Sequence, residues 1–167
     1  MVLRVPPGDN LPRWVCDACG EIHYQNPRLV VGTLPEHEGR LLLCRRAIEP
    51  RYGYWTLPAG FMENGETVGQ AALRETLEES GAQIELGAPC AMISVPYVNQ
   101  VHLFYRARLL SLEFKPGEET LEVALYDEAR IPWKDIAFRT VGLALKYWFA
   151  DRRAGTAAFH TEDLAAR

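Results

Sequence analysis

The order of strand and helix signals in this chain predicts an α+β or α/β fold in which a mixed β-sheet lies between helices. Short apolar runs bounded by turn residues predict strands. A helix with a start signal and a stop signal is predicted over residues 67–81, and a second helix over residues 136–152. Strands followed by two helices are typical of a sheet that buries its faces against those helices.

The expected strands cover residues 29–34, 40–45, 90–95, 101–109 and 121–126. The first two are joined by a turn at 36–39, and the third and fourth form a hairpin around 97–99. At 167 residues, the chain is long enough for one domain with a core of its own.

Composition restricts the class of protein. The hydrophobic content of 48% and the net charge of −4 are typical of a soluble globular protein. No basic stripe indicates nucleic-acid binding, and no apolar run reaches the length of a membrane span. The four cysteines need not be oxidised. We therefore expect a cytoplasmic enzyme with a small-molecule substrate and with neither a nucleic acid nor a membrane as partner.

The helix predicted over 67–81 carries an acidic edge. Thr67 and Gln70 form a capping-box pair at its start, and Gly81 is a natural terminator. At about 100° per residue, the glutamates at 75, 78 and 79 fall on one face. Leu73 and Leu77 fall on the opposite face, and we expect that face to pack on the core.

The glutamates at 75, 78 and 79 repel one another unless a cation lies between them. Mg²⁺ and Mn²⁺ prefer oxygen ligands, and Mg²⁺ binds through a few carboxylates together with water and phosphate. A solvated acidic face is the alternative. The preceding glycine-rich turn favours a metal site that holds a pyrophosphate.

Residues 60–82, GFMENGETVGQAALRETLEESGA, fit the pattern G-x5-E-x7-R-E-U-x-E-E-x-G-U, where U is a bulky apolar residue. The segment resembles the signature of the Nudix hydrolases. Thr76 and Ala82 depart from it, since both are smaller than the pattern prefers, and we expect them to weaken local packing. The resemblance implies a Nudix fold over residues 28–153, followed by a C-terminal tail over 154–167.

The resemblance also implies roles for individual residues. Glu75, Glu78 and Glu79 are expected to hold one or more Mg²⁺ or Mn²⁺ ions, together with the main-chain carbonyl of Ala59 or Gly60.

Glu66 and Arg74 are expected to pair and hold the turn on the helix. A further carboxylate ligand is expected in the E-x-x-E sequence formed by Glu119 and Glu122, and Glu122 is preferred. The base that activates water is then Glu75, Glu79 or Glu122.

Cys16 and Cys19 form a C-x-x-C-G knuckle, which is half of a zinc ribbon. Together with the sequence after it, the knuckle is similar to Nudix enzymes with an N-terminal zinc ribbon, including NADH, FAD and ADP-ribose pyrophosphatases. Residues 1–27 are then the remnant of such a ribbon. A structural zinc needs four ligands. Bound zinc with His23 as third ligand, relic cysteines and an upstream start codon all remain open.

Three residues are candidates for substrate binding. Arg46 suits a phosphate, and Tyr52 or Trp55 suits stacking on a base or flavin ring. A surface position for Arg46 and a core position for Trp55 are the alternatives.

The resemblance implies hydrolysis of a nucleoside diphosphate linked to another moiety, such as FAD, ADP-ribose or NADH, into two monophosphates. One alternative is a nucleoside triphosphate pool-sanitising enzyme. Another is a catalytically silent domain that senses a ligand. Homodimers are common among such relatives.

Overall fold

The computed structural model describes residues 1–166 and contains strands in two sheets and two α-helices. The strands are β1 (Val2–Arg4), β2 (Arg13–Val15), β3 (Ile22–His23), β4 (Arg28–His37), β5 (Arg40–Arg46), β6 (Trp55–Thr56), β7 (Ala59–Phe61), β8 (Ile84–Val95), β9 (Gln100–Leu109), β10 (Thr120–Tyr126) and β11 (His160–Asp163). The helices are α1 (Val68–Ser80) and α2 (Arg139–Ala154). None of the helices within residues 1–166 is long and apolar enough to cross a lipid bilayer.

The larger sheet is mixed, as the sequence predicted. Its strand order is β10-β5-β4-β9-β8-β11, with β6 paired to β5 and β7 paired to β4. The pairs β4–β9 and β8–β11 are parallel, and the other pairs are antiparallel. A separate small sheet contains β1, β2 and β3.

The two helices cover opposite faces of the large sheet. Val31 of β4 packs with Ala71 and Ala72 of α1. Leu34 of the same strand packs with a cluster that includes Leu145 of α2. Side chains an odd number of residues apart on a strand point to opposite faces. The sheet therefore lies between α1 and α2, and the sandwich predicted from the sequence is confirmed.

The ends of α1 are confirmed. Thr67 Oγ1 accepts from the Gln70 main-chain N–H at 3.2 Å, and Gln70 Oε1 accepts from the Thr67 N–H at 2.7 Å. Gly81 ends the helix with a φ of 63°, in the left-handed region that glycine enters cheaply. Both ends are defined by contacts within a few residues.

The predicted packing face of α1 was wrong. Leu73 and Leu77 are 41% and 53% exposed, whereas Ala72 and Thr76 are fully buried. Small side chains let the helix axis approach the sheet closely, and that approach leaves no room for leucine. The buried face is therefore the one with small residues, next to the acidic edge.

Two boundaries also differ from the prediction. Strand β8 begins at Ile84, well before residue 90, and helix α2 begins at Arg139. Ile136 lies before α2 and forms an isolated bridge with Trp55. The chain between β10 and α2 makes single turns that are too short to show a helical periodicity.

The C-terminal segment belongs to the large sheet, since β11 pairs in parallel with the outer edge of β8. Asp151 of α2 anchors it. The Asp151 carboxylate accepts from the Arg106 guanidinium, from the Ala158 N–H at 3.1 Å and from His160 Nε2 at 3.1 Å. The His160 ring stacks on Tyr147 with centroids 4.3 Å apart. Residues 158–163 are thus held against α2 and β8 by specific contacts.

Substitutions on α1 test which face packs. Ala72→Leu should overpack the interface with β4 and lower the free energy of unfolding by about 1–3 kcal/mol. Leu77→Gln, on the exposed face, should change it by less than about 0.5 kcal/mol. Urea unfolding of both variants measures the difference. A larger loss for Leu77→Gln than for Ala72→Leu would contradict the packing described above.

Acid should destabilise the protein through His102. Its ring Nε2 lies 2.9 Å from Gln100 Oε1, and burial lowers the pKa of His102 from 6.5 to about 4. The unfolded chain therefore binds the proton more readily between pH 6.5 and 4, so stability is lost as the pH falls through this window. Between pH 6.5 and 4, the free energy of unfolding of the wild type should fall by about 2–3 kcal/mol more than that of His102→Gln. Paired urea titrations at several pH values measure this; parallel curves would contradict it.

Candidate active site

The candidate site lies where the main chain of β7 meets the acidic edge of α1. Strand β7 pairs with β4 through Val31 and Gly60 and through Gly32 and Ala59. Helix α1 packs on the same strand, β4. The β4 strand therefore holds the main chain at residues 59–60 against the helix.

Glu79 is the most buried carboxylate of the acidic edge, with 9% of its surface exposed. Its Oε2 accepts from the Ala59 main-chain N–H at 3.1 Å. Burial raises the pKa of Glu79 to about 8, the Ala59 hydrogen bond opposes this, and the charge of Glu75 adds to it. A negative charge at this position therefore needs a cation nearby.

Glu75 lies against Gly60, with its carboxylate in the space that a side chain on residue 60 would fill. A Cβ on Gly60 would overlap that carboxylate. Burial raises the pKa of Glu75, while the hydrogen bond from Arg74 opposes the change. Glycine at position 60 thus leaves the space beside β7 that the Glu75 carboxylate occupies.

Arg74 ties the acidic edge to the preceding turn. Its guanidinium donates to both carboxylate oxygens of Glu66, at 2.8 and 3.1 Å, which confirms the predicted pair. It also donates to Glu75 at 2.7 Å, to Glu78 at 3.1 Å and to the Phe61 carbonyl at 3.1 Å. Arg74 is therefore the cation that balances this edge of the helix.

The donor set fits a hard divalent cation, since it consists of carboxylate and carbonyl oxygens. Across residues 1–166, however, no three acidic, histidine or cysteine side chains converge tightly enough to form a ready-made cation site. Glu75 and Glu78 point to Arg74, whereas Glu79 points to Ala59. A cation bound here would draw the first two away from Arg74.

Glu119 and Glu122 lie in different surroundings. The loop before β10 is bonded to α1, because the Gly117 N–H donates to the Glu79 carbonyl at 3.0 Å. The charge of Glu119 raises the pKa of both Glu75 and Glu79, after burial as the largest cause.

Glu122 lies elsewhere. Its carboxylate is 3.7 Å from Arg45, and its charge, after burial, raises the pKa of Tyr126, which packs on the α2 side of the sheet. Thr120 and Glu122 pair with the consecutive residues Arg46 and Arg45 of β5, so this irregularity places Thr120 and Glu122 on opposite faces of the sheet. Sequence spacing alone carries no signal of that irregularity.

The three predicted substrate-binding residues occupy different environments. The charge of Arg46 lowers the pKa of Glu79, so this arginine lies near the acidic edge, with its guanidinium 5.0 Å from the Phe138 ring. Tyr52 is exposed in the loop after β5. Trp55 is 8% exposed and packs edge-on against Tyr126, so the core alternative describes its position.

The NUDIX domain family matches residues 26–141, the part of the chain that forms α1, the acidic edge and every strand of the large sheet except β11. The chain belongs to the NUDIX family. It is a Nudix hydrolase by this match, with the glutamates of its signature in place. A second family, the N-terminal zinc ribbon of Nudix proteins, matches residues 1–25.

Similar proteins include an ADP-ribose pyrophosphatase from Methanocaldococcus jannaschii, 29% identical over 65% of this chain and 67% of that protein. An NAD-capped RNA hydrolase NudC from Stutzerimonas stutzeri is 34% identical over 65% of this chain, and the matched part covers only 39% of that protein. A crystal structure of a NUDIX hydrolase from Nitrosomonas europaea is 52% identical, with a TM-score of 0.94 over 98% of this chain and 93% of that one.

The zinc-ribbon segment of this Nudix protein supplies Cys16 and Cys19 in the turn between β2 and β3. Main-chain hydrogen bonds from Cys19 and Ala18 lower the pKa of Cys16. Cys44 and Cys90 are buried in the large sheet. Within residues 1–166 no third cysteine, histidine or acidic side chain joins the knuckle. The described residues therefore do not make up a four-ligand zinc site.

Substitution of the two loop glutamates distinguishes their roles. Glu119→Gln should weaken Mn²⁺ binding by about tenfold, because its charge lies close to the acidic edge. Glu122→Gln should change binding by less than about twofold, since it removes an exposed ion pair with Arg45. Isothermal titration of Mn²⁺ into each variant measures both. Stronger dependence on Glu122 would restore the preference drawn from the sequence.

Proposed function

We propose that this protein hydrolyses the pyrophosphate bond of a nucleoside diphosphate linked to another moiety, in an Mg²⁺- or Mn²⁺-dependent reaction. The observation that carries the proposal is the buried Glu79 carboxylate held against the Ala59 N–H at the edge where Glu75 and Glu78 also lie. This edge carries several carboxylates and is partly desolvated at Glu79, and its outer residue, Glu78, is exposed. A divalent cation between it and a pyrophosphate neutralises both.

The proposed cation ligands are Glu75, Glu78 and Glu79 with a main-chain carbonyl of Ala59 or Gly60. When bound, the cation would polarise a phosphoryl oxygen and lower the pKa of the attacking water. Glu78 is the most exposed of the three glutamates and is joined to Arg74 by one hydrogen bond, so it can turn outward at small cost.

Glu119 is the proposed base, and Glu75 and Glu79 are the alternatives. The Glu119 carboxylate lies on a loop that is hydrogen-bonded to α1, and its charge acts on both box glutamates. A carboxylate there can take a proton from water as the new P–O bond forms and the bridging P–O bond breaks. The products are two monophosphates.

Arg46 is the proposed contact for a substrate phosphate. Its guanidinium stacks on Phe138 and donates to the Pro50 carbonyl at 2.9 Å, so it is held in place beside the acidic edge. A fixed guanidinium suits a bidentate contact with phosphate oxygens. Tyr52, exposed on the same loop, is the proposed stacking residue for a base or flavin ring.

The names of similar proteins favour ADP-ribose or an NAD-type dinucleotide as the nucleoside diphosphate, and FAD belongs to the same chemical class. An RNA with an NAD cap contains the same pyrophosphate bond. A nucleoside triphosphate is the second candidate substrate class. A silent sensing domain is disfavoured because the glutamates at 75, 78 and 79 are all present.

A substrate panel with Mg²⁺ tests the proposal. ADP-ribose, NADH, FAD, an NAD-capped RNA oligonucleotide and 8-oxo-dGTP are incubated with the protein, and products are separated by chromatography. We expect two monophosphates from at least one of the first three and no turnover after chelation with EDTA. Cleavage of the triphosphate alone, with release of pyrophosphate, would overturn the proposed substrate class.

Glu79→Gln should lower turnover about a hundredfold or more, because it removes the buried carboxylate at the proposed cation site. The matched control is Glu85→Gln, which removes a carboxylate from an exposed pair with Arg108 and should leave turnover unchanged. Circular dichroism checks that both variants are folded. Activity close to wild type in folded Glu79→Gln would contradict the role of the acidic edge.

A further inference from the structure

Thr33 of β4 is fully buried and joins two parts of the candidate site. Its main-chain N–H donates to the Pro58 carbonyl at 3.1 Å, in the residue before Ala59. Its hydroxyl lies 2.7 Å from the hydroxyl of Thr76 on α1. One residue of the sheet therefore contacts both the chain that leads into β7 and the helix that carries the glutamates.

Thr76 is also fully buried and follows Glu75 directly in the helix. Its hydroxyl donates to the Ala72 carbonyl at 2.7 Å. Since that hydrogen bond uses the Thr76 proton, Thr33 is the donor in the contact between the two hydroxyls. The bridge thus has a defined direction, from the sheet to the helix.

A second hydrogen bond joins α1 to the chain at β7, which pairs with β4. The Ala59 N–H donates to Glu79, which lies about one helical turn beyond Thr76. Pro58 and Ala59 are adjacent on one side, and Thr76 and Glu79 are neighbours on the other. The hydroxyl bridge therefore joins α1 to β4 beside the Ala59–Glu79 hydrogen bond, and unlike that bond it uses no box glutamate.

The fully buried apolar residues of α1 next to β4 are small. Ala71 and Ala72 present small apolar side chains to β4, and their contacts are non-directional. A hydrogen bond between two buried hydroxyls is directional and is costly to break without a substitute. This polar contact therefore adds a directional constraint on the position of the helix along the sheet.

We propose that Thr33 and Thr76 are positioning residues for the divalent-cation site, and that their hydroxyl bridge sets the place of Glu75 and Glu79 relative to the main chain at residues 59–60. The inference rests on the proposed function, because it requires that these glutamates hold a cation. Threonine at position 76, where the Nudix signature prefers a bulky apolar residue, then has a specific purpose in this chain. Valine there would leave the buried Thr33 hydroxyl without its acceptor.

Direct binding of Mn²⁺ to the full chain tests the inference without relying on turnover. Free Mn²⁺ is followed by electron paramagnetic resonance for the wild type, Thr33→Val, Thr76→Val, Thr76→Ser and the double valine variant. Each single valine variant should bind Mn²⁺ about five- to tenfold more weakly, because the helix loses its fixed position. Thr76→Ser keeps the hydroxyl and should stay within about twofold of wild type.

The double valine variant separates positioning from stability. With both hydroxyls removed, no buried donor is left without an acceptor, so the thermal midpoint should recover relative to Thr76→Val. The Mn²⁺ affinity should stay low, since no directional contact replaces the bridge. The matched control is Thr140→Val, which removes a buried hydroxyl of α2 that has no hydrogen-bond partner among residues 1–166. It should leave Mn²⁺ binding unchanged.

Mn²⁺ affinity within twofold of wild type in folded Thr33→Val and Thr76→Val would overturn the inference, even if both variants melt earlier. If Thr76→Val does not fold, Thr33→Val decides alone. Absence of Mn²⁺ binding to the wild type would instead remove the cation site of the proposed function, and the positioning role with it. If only the inference about the bridge is wrong, the wild type still binds Mn²⁺ and still turns over its substrate.

Discussion

The hydrogen bond between the Ala59 N–H and the Glu79 carboxylate joins the two segments on which the candidate site depends. One segment is a short strand held by β4, and the other is a helix whose small side chains let it approach the same strand. A single N–H compensates for part of the cost of burying a carboxylate, while the charges of Glu75 and Glu119 add to that cost. The ionised form of Glu79 is therefore disfavoured in the protein alone, and a bound cation would stabilise it.

Local sequence signals described α1 well. Thr67, Gln70 and Gly81 defined its ends, because caps depend on residues only a few positions apart. The spacing of the glutamates also located the acidic edge and the pair of Glu66 with Arg74. The packed face was missed because hydrophobicity favours leucine in a core, whereas the observed interface is governed by the closeness of two backbones.

Features that depend on contacts between distant parts of the chain could not be predicted from local sequence patterns. Glu119 lies in the loop before β10, where the Gly117 N–H donates to the Glu79 carbonyl of α1, and no spacing of residues reveals that contact. Strand β11 is short and polar, without alternating apolar residues, and it exists because Asp151 and the edge of β8 receive it. In both cases a partner far away in the sequence decides the local structure.

The parallel pairing of β11 with β8 has a consequence for how the protein is made. Residues 160–163 leave the ribosome after every other strand of the sheet, and they can join β8 only once α2 has folded back across it. Until then, β8 is an open edge with unpaired main-chain groups. The edge of β8 is therefore covered only when α2 and β11 are both in place, and until then its main-chain groups can pair with another molecule.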